Sequence, residues 1–228
     1  MSKKSDKPAD NAAAKTEEQS APKSRRVMLF GRLENEVAMP VIKRLLRLND
    51  RDPHTPIDLL INSSGGNGYN ADAIIAVMNQ IQAPVNTVCL GHALSGACEI
   101  LASGTGQRSA YEFSTLMFHQ TLWEADGDIT NLEIQAAQGK KFREAQIELL
   151  YRCTGQDKKR LRTDIERDFY LSAEEGLAYG LIDEIIFHSA AQKRSAAKIG
   201  RKAAKAAPVK AGKPEAGGKS QRTGQKGK

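Results

Sequence analysis

Between Val27 and Phe118, short apolar runs of strand-forming residues alternate with stretches whose apolar side chains recur at helical spacing, and this alternation restricts the fold more than any other feature. Val27 to Phe30 reads as a strand, and Glu34 to Leu48 as a helix with Val37, Val41, Ile42, Leu45 and Leu46 on its apolar face. Ile57 to Ile61 reads as a buried strand that ends at the turn "NSSGG", and Ala71 to Met78 as the helix after it. Val85 to Leu90 is a further strand, followed by the short segment "GHA" and a helix opening in "LSGACEILASG". Strands near 107–111 and 115–118 precede a long helix from Asp128 to Cys153. Strands separated by helices imply an α/β fold, a mostly parallel sheet built from βαβ units.

The 228 residues, 40% of them hydrophobic, suffice for one domain with a substantial core. The formal net charge of +7 is unevenly placed. Residues 1–25 hold six Lys/Arg and four Asp/Glu, and residues 187–228 hold twelve and one; taking these from totals of 34 and 27 leaves sixteen and twenty-two, a net of −6. The globular part is therefore acidic. Residues 1–25, rich in Ala, Lys, Ser and Asp, are expected to be a disordered extension, 26–187 the folded domain, and 188–228 a basic low-complexity tail. Such a tail offers the one expected route to nucleic acid; its plainer reading is a solubilising extension. No apolar run approaches bilayer length and no apolar signal segment opens the chain, so a cytoplasmic, membrane-free protein is expected. Cys89, Cys98 and Cys153 lack metal-ligand spacing and predict neither disulfides nor a zinc site.

Hydrolysis of an acyl bond by a serine needs a nucleophile, a base, a group that orients the base, and donors for the oxyanion. Ser95 stands where a strand gives way to a helix, flanked by Gly91 and Gly96; Ala93 and Ala97 exclude the GxSxG elbow. A serine there also serves as an ordinary helix cap. His119 follows the apolar run Leu116 to Phe118, at the strand end where α/β proteins gather binding groups, with His92 a rival base closer to Ser95 in sequence. Asp168 lies in "ERDFYLSAEE", and Gly65 and Gly66 follow a strand where backbone N–H groups could meet an oxyanion or a phosphate.

Taken together and in order, "LFGRLENEVA", "LLINSSGG", "CLGHALSGACEILASG", "LMFHQT", a long helix ending "CTGQ", and "IERDFYLSAEEGLAYGLIDEII" resemble the proteolytic subunit of the Clp protease, within the Clp protease/crotonase-like superfamily, over Arg26 to Ile186. The resemblance implies that fold with a protruding handle helix, Ser95 as nucleophile, His119 as base, Asp168 as its orienter, and the backbone N–H groups of Gly66 and Gly96 as oxyanion donors. It implies an ATP-dependent serine endopeptidase of protein quality control that needs no cofactor or metal. Stacked seven-membered rings, homomeric or mixed with another subunit of this kind, would enclose unfolded polypeptides delivered by an AAA+ Clp unfoldase. ATP would be hydrolysed by that partner, since the chain has no GxxxxGK[ST] loop.

Several positions depart from the family pattern. Gly96-Ala97-Cys98 stand in place of Met-Gly-Ala, Ser63-Ser64-Gly65-Gly66 in place of Ser-Pro-Gly-Gly, "NGYN" follows where residues run beside substrate, Thr121 replaces Pro, and Glu99 brings a charge into an apolar helix. A slow or inert structural subunit of a mixed ring is therefore the second reading. A crotonase-type acyl-CoA enzyme, a third, shares the fold but has no use for the three side chains.

Overall fold

The structure, a computed structural model, describes residues 24–189. The chain divides into two units after Ile186, and the second is described only over Phe187–Ser189. Apart from a residue or two at each edge, the extension 1–25 and the tail 188–228 lie outside the described residues.

The elements run β1 (Arg26–Leu33), α1 (Asn35–Arg51), β2 (Ile57–Gly66), α2 (Gly68–Gln80), β3 (Val85–Leu94), α3 (Gly96–Ala102), β4 (Arg108–Tyr111), β5 (Thr115–Phe118), α4 (Ile129–Thr154), α5 (Lys158–Asp164), β6 (Phe169–Ser172), α6 (Ala173–Tyr179) and β7 (Glu184–Ile186). Seven strands form one sheet in the order β1-β2-β3-β4-β7, with β5 pairing both β3 and β6. Every pair is parallel except β5 with β6. This is the expected α/β architecture of βαβ units.

Burial follows period. In β2 alternate residues Ile57, Leu59 and Ile61 are fully buried, as the two-residue repeat of a strand requires. In α1 the buried stripe is Ala38, Val41, Leu45 and Leu48, so the helix is turned slightly from the face predicted, and Leu46 is 37% exposed. Asn67 begins α2 by accepting hydrogen bonds from the backbone N–H groups of Tyr69 (3.0 Å) and Asn70 (3.3 Å). In α4 only the C-terminal half is anchored, through Gln146, Ile147 and Leu150, while Ile129 and Ile134 are 77% and 61% exposed. The helix thus protrudes, as expected of a handle.

Two strands run further than their composition suggests. The predicted turn "NSSGG" is the last half of β2, because Phe30↔Asn62 and Leu33↔Gly66 continue the ladder with β1. Buried Ser63 donates its hydroxyl to the carbonyl of Gly31 and accepts the N–H of Gly65 at 3.2 Å, so a polar residue is satisfied within the sheet. Likewise "GHA" belongs to β3, which forks: Thr87–Cys89 pair with β4, and His92–Leu94 pair with β5.

Candidate active site

Strand register gathers the site. In the parallel pair β3/β5, Leu94 stands opposite Met117, so the residues just beyond the two strand ends, Ser95 and His119, emerge side by side. In the antiparallel pair β5/β6, Phe118 stands opposite Phe169, which sets Asp168 next to His119. Phe118, Phe169 and Tyr179 pack with ring centroids 5.3 to 5.7 Å apart and pin β6 and α6 onto β5.

Ser95 Oγ and His119 Nε2 are 2.9 Å apart, hydrogen-bond distance. On the other edge of the ring, His119 Nδ1 is 3.8 Å from Asp168 Oδ1, an ion-pair separation longer than a hydrogen bond. The Asp168 side chain is 58% exposed and that of His119 only 14%. The three residues are therefore adjacent in the order Ser-His-Asp, with the last contact loose. His92 lies within β3, where its backbone N–H donates to Asn62 Oδ1 of β2 (3.2 Å), and the imidazole bonded to Ser95 is that of His119.

Among the described residues Ser95 alone, apart from glycines, has a positive φ (54°, with ψ −129°). This is a sparsely populated conformation, held by the N–H of Ser95 donating to the Met117 carbonyl at 2.7 Å. The sharp strand-to-helix turn of a nucleophile elbow is thus present without the glycines of that motif. Its permissive residue is on the neighbouring strand: at Gly65 (φ +78°), a Cβ would lie 2.5 Å from the Leu94 carbonyl oxygen and 2.9 Å from Ser95 Cβ. Gly65 was visible in the sequence as half of a glycine pair, but not its contact with the Ser95 turn.

A cavity of about 260 Å³ opens beside these groups. Gly66, Gly96, Ser95 and His119 line it, so both residues expected to supply oxyanion donors share a wall with the serine. Phe142 closes one side, packed edge-on against Tyr69 (5.3 Å) and above Gly68. The "NGYN" segment therefore turns into α2 and packs beneath α4. Gln146, which nothing in the sequence singled out, lines the cavity one turn further along α4: its Nε2 donates to Glu99 Oε1 (2.6 Å) and to the His119 carbonyl (2.9 Å). Glu99 is buried, and burial pushes its carboxyl up to about 7 against the opposing pull of the Gln146 bond.

Cys89 and Cys98 are buried free thiols, both pushed up chiefly by desolvation and so poor thiolates. Among the described residues no group of three or more His, Cys, Asp or Glu is placed to hold a metal, and no helix is long and apolar enough to cross a membrane.

The family model described as Clp protease matches residues 10–189, a span that starts upstream of Arg26 and takes in every element above. With most of its 228 residues inside that match and the α/β architecture in agreement, the chain belongs to the Clp protease family and is a peptidase of that kind.

Proposed function

We propose that the chain is the serine endopeptidase subunit of an ATP-dependent Clp-type protease. The observation that carries the reading is the 2.9 Å contact between His119 Nε2 and a serine whose backbone is held at φ 54°. Ser95 Oγ attacks the scissile carbonyl carbon while its proton passes to His119 Nε2. The backbone N–H groups of Gly66 and Gly96 receive the oxyanion. Collapse of the tetrahedral adduct breaks the C–N bond, His119 gives the proton to the leaving amine, and an acyl ester remains on Ser95. A water deprotonated by His119 then hydrolyses that ester. Asp168 steadies the ring and the imidazolium, and its contact shortens as substrate closes the site.

In this reading residues 26–187 are the peptidase domain, cytoplasmic, assembled into stacked seven-membered rings, alone or with a second subunit of the same kind. An AAA+ Clp unfoldase hydrolyses the ATP and delivers unfolded polypeptide. The exposed N-terminal half of α4 supports a handle that meets another ring. The second reading, a slow subunit within a mixed ring, draws support from the 3.8 Å contact of exposed Asp168.

A fluorophosphonate probe separates the two. The wild type is expected to label and Ser95→Ala not to label; equal labelling of both, or of neither, overturns the mechanism. Removing Ser95, His119 or Asp168 is expected to lower kcat about 10⁴-fold.

A further inference from the structure

Glu99 is a buried acid that the mechanism above does not use. It lies in the first turn of α3, its backbone N–H donating to the carbonyl of Ser95 at 3.3 Å. It is 6% exposed and borders both the cavity that holds Ser95 and His119 and an adjoining one of about 260 Å³. Its carboxyl group has one hydrogen-bond partner among the described residues, the amide of Gln146, and no ion pair with Lys, Arg or His. A carboxylate taken out of water without a cation is costly, and a cation brought to it recovers much of that cost.

The other charged groups around it leave the deficit in place. Asp72 of α2, in the adjoining cavity, is also acidic and raises the Glu99 carboxyl further. Arg152 of α4 is engaged there by Glu148 at 2.8 Å, and Arg32, at the mouth of the Ser95 cavity, reaches Glu34 at 3.4 Å. His119 presents its carbonyl to Gln146 and its ring to Ser95. Apolar Met117, Leu122 and Phe142 line the same cavity as Glu99, with the Thr121 hydroxyl donating to Gln146 Oε1 at 3.4 Å. An aliphatic stem ending in a positive charge matches a lining of apolar side chains with one buried acid.

We propose that Glu99 makes the cavity beside Ser95 a subsite for a cationic side chain, lysine or arginine, on the residue whose carbonyl is attacked. The proposal rests on the peptidase reading and names its substrate preference. Because the acid is pushed up to about 7 by burial, its charge develops as pH rises through neutrality. The preference for a cation is full above that range and lost below it, whereas lysine stays protonated throughout.

The test uses the full-length protein and peptides that differ only in the residue before the scissile bond: lysine, Nε-acetyl-lysine or methionine. At pH 8 the lysine-to-methionine ratio of kcat/KM is expected to be at least about tenfold higher in the wild type than in Glu99→Gln, the worth of one charge-assisted hydrogen bond, with acetyl-lysine behaving like methionine. In the wild type the ratio rises from pH 6 to pH 8, and any pH dependence of the catalytic step itself cancels because both peptides share it. An equal ratio in the two proteins, or one below unity in the wild type, overturns the subsite; a uniform loss on both peptides would instead mark Glu99 as a positioning residue acting through Gln146. Binding to Ser95→Ala provides an arm that needs no catalysis. Labelled peptides ending in lysine should bind more tightly than those ending in methionine, and that difference should vanish in Ser95→Ala/Glu99→Gln. If no peptide is cleaved and Ser95 does not label, the peptidase reading fails and this binding difference alone decides the subsite.

Discussion

Gly65 carries a hydrogen where another residue would push a carbon to within 2.5 Å of the Leu94 carbonyl oxygen, and its φ of +78° is one that side chains rarely adopt. Both constraints converge on the turn that holds Ser95. Gly65→Ala is therefore expected to lose about 1–3 kcal/mol of stability and most of the fluorophosphonate labelling rate. Urea unfolding and a labelling time course check the two effects, and unchanged values in both would show that the turn tolerates the carbon. Substitution at Gly31, where a Cβ would meet nothing within 4 Å, brings only the strain of its φ of +83°. The comparison separates backbone strain from collision.

At the scale of elements, Arg108 joins three helix ends. Its Nη1 donates to the carbonyls of Ala102, Cys153 and Gly180, at the C-terminal ends of α3, α4 and α6, while Nε and Nη2 grip Asp183 at 3.0 and 2.6 Å. Unpaired carbonyls at a helix end carry partial negative charge, so a guanidinium shared among three of them serves as a common cap. Arg108→Met should cost about 3 kcal/mol, whereas Arg47→Met, on the exposed side of α1, should stay within about 0.5 kcal/mol. The same guanidinium holds the Asp183 carboxyl below its ordinary value. The stabilisation it adds is present above the usual carboxylate range and fades as pH falls through the lowered value, modestly because Asp183 is part exposed.

Much of this level could be read from the chain. Helical spacing located α1, α2 and α4 to within a few residues. Strand ends were harder: "NSSGG" and "GHA" have turn composition, yet they pair because neighbouring strands continue beside them, which local propensity does not register. β6 carries no strand signal of its own, being four residues among charges whose partner lies some fifty residues earlier. The side chains at Ser95, His119 and Asp168 were named from their motifs, and their adjacency follows from register. Gly65 against Ser95, and Gln146 bridging Glu99 and His119, depend on which backbone approaches which, and no spacing within one segment carries that information.

For the molecule as a whole, an acidic domain of net −6 precedes a strongly basic tail, and apolar side chains stand exposed along the first half of α4. Surface of that kind is normally covered. Sedimentation of the full-length protein is expected to show an assembly larger than a monomer, and charge substitutions at Ile129 and Ile134 should weaken it. A monomer at every concentration would remove the handle from the proposed function.

The fork in β3 has a further consequence, for the order of events in time. Ser95 and His119 meet through strands some twenty residues apart, but Asp168 arrives only after β6 has found β5 across the whole length of α4. Pairings that close long loops form late, because the chain must give up entropy before the contact repays it. Under the proposed function, a growing or half-folded chain would therefore hold a serine and an imidazole without the carboxylate proposed to steady them, and hydrolytic competence would coincide with completion of the fold.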